Sequence, residues 1–266
     1  MEQNSSNVFT KSLSKTYKKI THADGVYSYD EDGRRYMDFG AGLAVTNIGN
    51  GVKEVCDAIA KQAYEVTYLN GGAFTSQARE ELASNIIKLA PKGMERVFFC
   101  SGGSEAVESM AKIARQYQIE MGRPSKYKII SRWQSYHGNT FGTLSLGGRP
   151  SWRSRYENLL LHMPHIAQCN CYRCPYGLER CNCSVPCAEE LERVIKYEGA
   201  ESVAAFVLEP VTGTTATATV PPVEYMKRIR EICDKYDVLM CCDEVITGLG
   251  RTGKNFAIDH FGVVPD

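Results

Sequence analysis

Short apolar runs alternate with amphipathic stretches along most of the chain. Four short runs are apolar, apart from the lysine that opens the second, which is typical of strands that are covered on both faces of a sheet. They lie at residues 97–100, 128–130, 203–208 and 238–242. Apolar residues that recur every three or four positions predict helices at about 105–121, 188–197 and 223–236. This alternation predicts an α/β fold with a mainly parallel sheet covered by helices.

The N-terminal part of the chain carries a different pattern. Aromatic and apolar residues alternate with polar ones at 26–29 and 35–39, on either side of an Asp-Gly pair at 32–33. This arrangement predicts a small antiparallel hairpin. Two helices are predicted after it, one from about 52 and one from about 76 to 90. We therefore expect an N-terminal segment over 1–50 and a larger domain over 51–266.

The composition is that of a folded protein without a strong charge bias. The chain has 266 residues, and the hydrophobic 43% of them can form a substantial core. Lysine and arginine number 31, as do aspartate and glutamate, so no net field favours nucleic acid or an anionic membrane as a partner. The first seven residues are polar, and no apolar run approaches the roughly 18 residues of a membrane span. We expect a cytoplasmic protein.

Cysteine is unusually frequent for a cytoplasmic protein, with eleven residues. Six of them fall within one stretch: Cys169, Cys171, Cys174, Cys181, Cys183 and Cys187. Structural zinc is one interpretation, because pairs separated by two and by three residues supply four thiolates at zinc-like spacings. A disulfide cluster is disfavoured in a reducing compartment. We favour free thiols, some of them buried, and assign no metal, because the spacings are short and irregular.

A glycine-rich turn joins the first predicted strand of the sheet to the helix that follows it. Gly102 and Gly103 lie in this turn, and Ser104 is next to them. A helix N-terminus offers unpaired N–H groups and a partial positive charge, and glycine lets a phosphate approach the backbone closely. The serine hydroxyl can add a further hydrogen bond. A simple helix cap is the alternative interpretation of the same residues.

Polar and aromatic side chains follow the other three predicted strands at the ends where ligands gather in parallel sheets. Tyr136 and His137 come after the second strand, Glu209 directly follows the third, and Asp243 directly follows the fourth. A buried carboxylate needs a partner, which makes Asp243 a candidate for holding a cationic group. Taken singly, each of these residues is also compatible with an ordinary structural role.

The glycines at 248–253 fit the dinucleotide-binding pattern G-x-G-x-x-G, so a nicotinamide dehydrogenase is a rival hypothesis. Five residues separate the preceding strand from these glycines, and neither a helical pattern nor a second strand follows them. A dinucleotide site needs a complete βαβ unit. We therefore reject this hypothesis.

Four segments together resemble the class III aminotransferases, which are enzymes that use pyridoxal 5'-phosphate (PLP). They are Ser-Gly-Gly-Ser-Glu-Ala at 101–106, Tyr-His-Gly at 136–138, Glu-Pro-Val at 209–211 and Cys-Cys-Asp-Glu-Val-Ile-Thr-Gly-Leu-Gly-Arg-Thr-Gly at 241–253. The Cys-Tyr-Arg-Cys-Pro run at 171–175 is similar to a signature of one subgroup. The resemblance implies the PLP fold type I large domain, with Gly102, Gly103 and Ser104 at the cofactor phosphate.

The same resemblance implies roles around the cofactor ring. Asp243 matches the aspartate that keeps the pyridine nitrogen protonated, so that PLP can act as an electron sink. Tyr136 matches the aromatic residue stacked on one face of the ring, and Val245 matches the aliphatic residue under the other face. Glu209 matches an active-site glutamate that positions cofactor or substrate. His137 follows Tyr136 in the same motif and is assigned to the cofactor site, with a structural role as the alternative. Asp243 and Glu209 are the expected catalytic residues.

The implied reaction is transamination from an amino or ω-amino acid, such as 4-aminobutyrate or β-alanine, to a 2-oxo acid, in a homodimer. The family lysine that forms a Schiff base with PLP is expected beyond 263–266 and has no match in this sequence. No motif places Lys254 at the cofactor. We interpret the sequence as an N-terminal portion of such an enzyme. A racemase or aminomutase of the same fold, and a catalytically inactive PLP-binding or dimerising protein, are alternatives.

Overall fold

The computed structural model describes residues 6–12, 14–180 and 183–266. The chain divides into two compact units, one that ends at Ser76 and one that begins at Gln77. This division follows compactness within the chain, whereas the boundary expected from the sequence separates a small domain from a large domain. The boundary expected at residue 50 therefore remains a prediction.

The first unit contains a three-stranded antiparallel sheet in the order β1-β2-β3. Its strands are Ile20–Asp24 (β1), Tyr27–Asp30 (β2) and Arg35–Met37 (β3), followed by a one-turn helical segment, Ala41–Ala44 (α1), and by the helix Lys53–Glu65 (α2). The predicted hairpin is confirmed as the β2–β3 pair, in which Tyr27 lies opposite Met37. The first strand was not predicted from the sequence.

The buried Asp30 carboxylate organises the turn between β2 and β3. One of its oxygens accepts hydrogen bonds from the N–H groups of Asp32 (3.0 Å) and Arg34 (2.9 Å), and the other accepts the Tyr36 hydroxyl at 2.7 Å. Gly33 has a φ of +76°, which is the region where glycine has no steric cost. These contacts explain why the Asp-Gly pair closes the hairpin.

The second unit consists of a four-stranded sheet and its covering helices. The helices are Gln77–Leu89 (α3), Gly103–Glu120 (α4), Phe141–Leu146 (α5), Pro150–Arg153 (α6), Pro186–Glu198 (α7) and Val223–Tyr236 (α8). Short 3-10 turns span Glu157–Leu159, Ala200–Ser202 and Ala257–His260. The strands are Lys128–Arg132 (β4), His165–Ile166 (β5), Val203–Leu208 (β6) and Leu239–Cys242 (β7). Across the described residues, no helix has the length and apolar character needed to cross a membrane.

All strands of this sheet are parallel, in the order β5-β4-β6-β7. Consecutive residues of β6 pack on opposite faces. Phe206 and Leu208 join a large buried cluster with α7 and α8, whereas Ala205 and Val207 join a second cluster with Val107 of α4. The sheet is therefore covered on both faces, as continuous apolar strands require. The α/β fold with a mainly parallel sheet is confirmed.

The strand predicted at 97–100 is wrong. These residues belong to no strand, and none of the strands in the described ranges pairs with them. Phe98 is 66% exposed. An apolar run becomes a strand only when a neighbour accepts and donates its backbone hydrogen bonds, and sequence pattern alone does not reveal whether that neighbour is present.

Candidate active site

The C-terminal ends of β4, β6 and β7 converge at one edge of the parallel sheet. The loop after β4 brings Tyr136 and His137 to this edge, β6 delivers Glu209, and β7 delivers Asp243. The N–H of Asp243 donates to the Leu208 carbonyl at 2.8 Å, which continues the β6–β7 pairing by one residue. Parallel strands therefore place residues that are more than 100 positions apart in sequence within hydrogen-bonding distance.

Asp243 and His137 form the central contact of this edge. Nδ1 of His137 lies 2.8 Å from Oδ2 of Asp243, and the two side chains are 0% and 6% exposed. The other carboxylate oxygen, Oδ1, accepts the N–H of Val245 at 3.1 Å, which fixes the turn after β7. Nε2 of His137 is buried without a hydrogen-bond partner among the described residues. The pair is thus a buried carboxylate and imidazole with hydrogen-bonding capacity to spare.

Glu209 is a second buried carboxylate, and its oxygens hold two backbone segments together. Oε1 accepts the N–H of Tyr136 at 3.1 Å, and Oε2 accepts the N–H of Gly213 at 2.7 Å. Burial raises the pKa of Glu209, while the charges of His137 and Arg132 and the two N–H donors counteract part of that rise. This carboxylate therefore fixes the loop that carries Tyr136.

Arg132 is a buried charge beneath the site that the sequence reasoning missed. The side chain is 0% exposed, and its Nη2 donates to the Glu209 carbonyl oxygen. Nε and Nη1 have no hydrogen-bond partner in the described part of the chain. The position of Arg132 just after an apolar run could have identified it as a site residue. Buried charged side chains are uncommon, and most of them are paired with an opposite charge or hydrogen-bonded.

The beginning of α4 lies against the same edge. A Cβ added at Gly103 would approach both methyl carbons of Val245 at 3.1 Å, so the turn after β7 packs directly on the first turn of α4. Oγ of Ser104 accepts the N–H of Asn139 at 2.9 Å, which ties the loop after β4 to the helix. Gly102 has open space where a side chain would project. The helix N-terminus is therefore accessible next to the Asp243 turn.

The ring of Tyr136 is supported from one side by a residue that the sequence reasoning also missed. Trp152 meets it edge-on, with 5.1 Å between ring centroids. The Arg149 guanidinium lies over the Trp152 ring, 4.4 Å from its centroid. An edge-to-face pair of this kind restricts the orientation of the half-buried Tyr136 ring.

The remaining residues of the last motif have structural contacts. The Glu244 carboxylate accepts the N–H groups of Ala257 (3.0 Å) and Ile258 (2.9 Å), and so caps the 3-10 turn there. Nζ of Lys254 donates to the Asp259 carbonyl at 3.0 Å. The glycines at 248–253 form turns instead of opening an α-helix. This geometry supports the rejection of a dinucleotide-binding βαβ unit.

The cysteine stretch forms its own cavity. It is lined by five of the six cysteines, Cys169, Cys171, Cys174, Cys183 and Cys187, while Cys181 lies outside the described residues. The ten cysteines that the structure describes are free. Within the same part of the chain, no group of three or more His, Cys, Asp or Glu side chains has an arrangement that holds a metal ion.

Comparisons with known proteins identify the family of this chain. The sequence model of one family, Aminotransferase class-III, matches residues 9–266. YodT of Bacillus subtilis, an uncharacterized aminotransferase, is 38% identical over 262 residues, which cover 98% of this chain and 59% of YodT. The putrescine–pyruvate aminotransferase of Pseudomonas aeruginosa is 39% identical over 93% of this chain and 54% of that enzyme.

Solved structures are similar as well. The omega transaminase of Pseudomonas jessenii in complex with PMP has a TM-score of 0.89 to this chain and 34% identity, over 94% of this chain and 55% of that one. The chain therefore spans a little over half the length of the proteins that it matches.

Proposed function

Because the chain belongs to the class III aminotransferase family, whose members depend on PLP, we propose that it forms the cofactor-binding part of a transaminase. The reaction is the transfer of an amino group from an amino or ω-amino acid to a 2-oxo acid. The observation that carries the proposal is the buried contact between Asp243 and His137, at 2.8 Å, next to the accessible start of α4.

The residues present fit the cofactor. Gly102, Gly103 and Ser104 offer backbone N–H groups and a hydroxyl to a phosphate, and the open space at Gly102 supports this role. Val245 is 50% exposed and offers an apolar surface beside the Asp243 carboxylate. The side chain of Asp243 is nearly fully buried, and a buried carboxylate of this kind is stabilised by a cationic partner such as a protonated ring nitrogen.

In this proposal each residue has a separate task. PLP, when bound, supplies an electron sink for the carbanion formed at the amino-bearing carbon. Asp243 would hold a proton on the ring nitrogen, and His137 orients the Asp243 carboxylate through Nδ1. Tyr136 would cover one face of the ring and Val245 the other. Glu209 positions Tyr136 by accepting its backbone N–H.

The substrates, assembly and location belong to the same proposal. The names of a putrescine–pyruvate aminotransferase and of an omega transaminase among the similar proteins support an ω-amino donor. We propose a homodimer in the cytoplasm, with 1–50 contributing to the small domain and 51–266 to the large domain.

The test is a titration of the 266-residue protein with PLP, in which unbound cofactor is measured after ultrafiltration. Asp243→Asn keeps the size and one acceptor oxygen but removes the charge, so we expect at least about tenfold weaker binding. Glu120→Gln, at the exposed last residue of α4, is the matched control and should bind normally. Equal affinity in Asp243→Asn and the unchanged protein would contradict the assigned role of Asp243.

A second measurement separates the possible reactions. Because no lysine in this sequence matches the family's Schiff-base lysine, borohydride should trap no PLP adduct on this chain, including on Lys254. Amine transfer from an ω-amino acid to pyruvate is then assayed on the native gene product. Loss of optical purity in an amino acid without an oxo acid would instead indicate a racemase or aminomutase. PLP binding without either activity would indicate an inactive PLP-binding protein.

A further inference from the structure

The cysteine cavity is separate in its chemistry from the candidate active site. Its volume is about 20 Å³, which is room for about one water molecule. Cys171, Cys174 and Cys183, on its wall, are half-buried, whereas Cys169 and Cys187 are only 2% and 6% exposed. The two most buried thiols of this stretch therefore line a space large enough for a water-sized molecule.

Cys169 and Cys187 interact with each other at the bottom of the cavity. Both belong to the buried cluster that also contains Tyr225. Cys187 is the second residue of α7, after Pro186, so it lies where helix N–H groups have no helical acceptor. The N–H of Ala188 donates to the Val185 carbonyl oxygen at 2.8 Å, and the N–H groups of this first turn favour the charged form of Cys187. This position stabilises a thiolate on Cys187.

The two thiols differ in acidity. Interaction with Cys169, the local N–H groups and the Arg132 charge lower the pKa of Cys187, although burial opposes them. Interaction with Cys187 and burial raise the pKa of Cys169. The pair therefore consists of one sulfur suited to attack and one that remains a thiol.

The buried charge of Arg132 also acts on this pair of cysteines. Its guanidinium is fully buried, and Nε and Nη1 have no hydrogen-bond partner in the described ranges. A buried guanidinium with two unused donors is costly unless an anion lies next to it. The Glu209 carboxylate is one such anion, because the charge of Arg132 lowers the pKa of Glu209, and a thiolate at Cys187 provides a second.

We propose that Cys187 and Cys169 form a reactive dithiol that small hydroperoxides oxidise to a disulfide, with Cys187 as the attacking sulfur. A metal site is the less favoured alternative, because the described residues form no metal-holding group of three or more side chains. The proposal does not depend on PLP binding or on transamination.

The chemistry is balanced with hydrogen peroxide as the oxidant. The Cys187 thiolate attacks one peroxide oxygen, so an S–O bond forms, the O–O bond breaks, and hydroxide leaves. The Cys169 thiol then attacks the sulfur of the resulting sulfenic acid, an S–S bond forms, and the second oxygen leaves as hydroxide. The proton of the Cys169 thiol and one proton from solvent convert the two hydroxides to water. Two thiol sulfurs are oxidised by two electrons, and the peroxide is reduced.

The experiment treats the 266-residue protein with hydrogen peroxide, blocks the remaining thiols with N-ethylmaleimide and identifies cross-linked tryptic peptides by fragmentation mass spectrometry. Cleavage at the arginines places Cys169 in 156–173 and Cys187 in 181–193. We expect these peptides to be joined through Cys169 and Cys187 with the loss of two hydrogens. A bond between other cysteines of the stretch as the main product would overturn the proposal.

Variants separate the roles of the two sulfurs. In Cys169→Ser, the sulfenic acid on Cys187 should persist and react with dimedone. In Cys187→Ser, no disulfide to Cys169 should form. Cys174→Ser is the matched control from the same cavity and should still form the Cys169–Cys187 bond. Circular dichroism is measured to check that each variant is folded. Absence of dimedone labelling in folded Cys169→Ser would overturn the proposal.

Two rate comparisons test the environment of the pair without removing either cysteine. Arg132→Met should slow oxidation of Cys187 by about tenfold, the effect of about one pKa unit on the thiolate fraction, and Arg132→Lys should recover part of the rate. Cumene hydroperoxide should react far more slowly than hydrogen peroxide, because the cavity has little room. Unchanged rates in Arg132→Met, or equal rates with the two oxidants, would contradict the proposed site.

Discussion

Glu209→Gln tests whether the buried carboxylate of Glu209 fixes the loop that carries Tyr136. Both carboxylate oxygens accept backbone N–H groups, from Tyr136 at 3.1 Å and from Gly213 at 2.7 Å. A glutamine side chain has nearly the same shape, but only one of its two terminal atoms accepts a hydrogen bond. In either orientation of the amide, an N–H group of the backbone therefore faces an NH₂ donor at a buried position.

The size of the effect on stability follows from the single backbone N–H that loses its acceptor. Leaving a buried N–H without an acceptor costs about 1–3 kcal/mol. The substitution also removes the cost of burying a charge, because burial raises the pKa of Glu209 in the folded protein. We therefore expect Glu209→Gln to lower the free energy of unfolding by about 1–3 kcal/mol at acidic pH, with a smaller loss where Glu209 is ionised.

The pH dependence has a definite sign. A carboxyl group whose folded pKa is raised binds its proton more tightly in the folded state, so its contribution to stability is complete below the unfolded pKa, near 4.5. That contribution is lost as the pH rises through the folded pKa. The glutamine variant has no such titration. The stability difference between the two proteins should therefore narrow with rising pH, by about 1.4 kcal/mol for each pKa unit of the shift.

The assay is urea unfolding at several pH values, followed by the fluorescence of Trp133 and Trp152, the two tryptophans of the chain. Glu120→Gln, at the exposed end of α4, is the control and should change the stability by less than about 0.5 kcal/mol. A Glu209→Gln protein that is as stable as the unchanged protein at acidic pH, or a difference that widens with rising pH, would refute the reasoning.

Three further predictions concern other parts of the second unit. Burial and a neighbouring arginine lower the pKa of His165 from 6.5 to about 4. Neutral His165 should therefore stabilise the fold by about 3 kcal/mol above pH 6.5, and this stabilisation should be lost as the pH falls towards 4. NMR titration of the ring checks the pKa. Gly138→Ala should lower the free energy of unfolding in urea by at least about 2 kcal/mol, because φ is +141° and the new Cβ would lie 2.5 Å from Thr143 Oγ1. Gly177→Ala is the control, since the new Cβ there has open space, and it should lower the free energy of unfolding by about 1 kcal/mol. Backbone amides of 97–100 should exchange with deuterium much faster than those of β6, because no described strand pairs with them; equal protection would contradict the assignment.

Much of the fold could be predicted from the sequence because apolar spacing directly reflects burial. The run at 203–208 is a strand with the predicted bounds, and 223–236 is a helix with the predicted bounds. The strand is continuously apolar and the helix is strongly periodic, and both are covered by neighbouring elements as their patterns predict. The short β5 and α6 were not predicted, because two to four residues carry too little pattern to identify an element.

The candidate site was only partly predictable. Motifs in the sequence singled out Asp243 and His137, but not the fact that they contact each other at 2.8 Å, because they are more than 100 residues apart. Arg132 and Trp152 were missed, since neither belongs to a recognisable motif. Arg132 is the last residue of β4 and reaches the Glu209 carbonyl at the end of the neighbouring strand, whereas Trp152 lies in α6, which the fold brings beside the Tyr136 ring.

The sequence by itself determined the alternation of strands and helices, the resemblance to an aminotransferase family and the residue types of the site, because these depend on local spacing and composition. Tertiary structure decided whether 97–100 pairs as a strand, which carboxylate holds which backbone segment, and which cysteines line one cavity. These outcomes depend on hydrogen bonds and packing between distant segments, and such contacts are fixed only when the parallel strands align their C-terminal ends at one edge of the sheet.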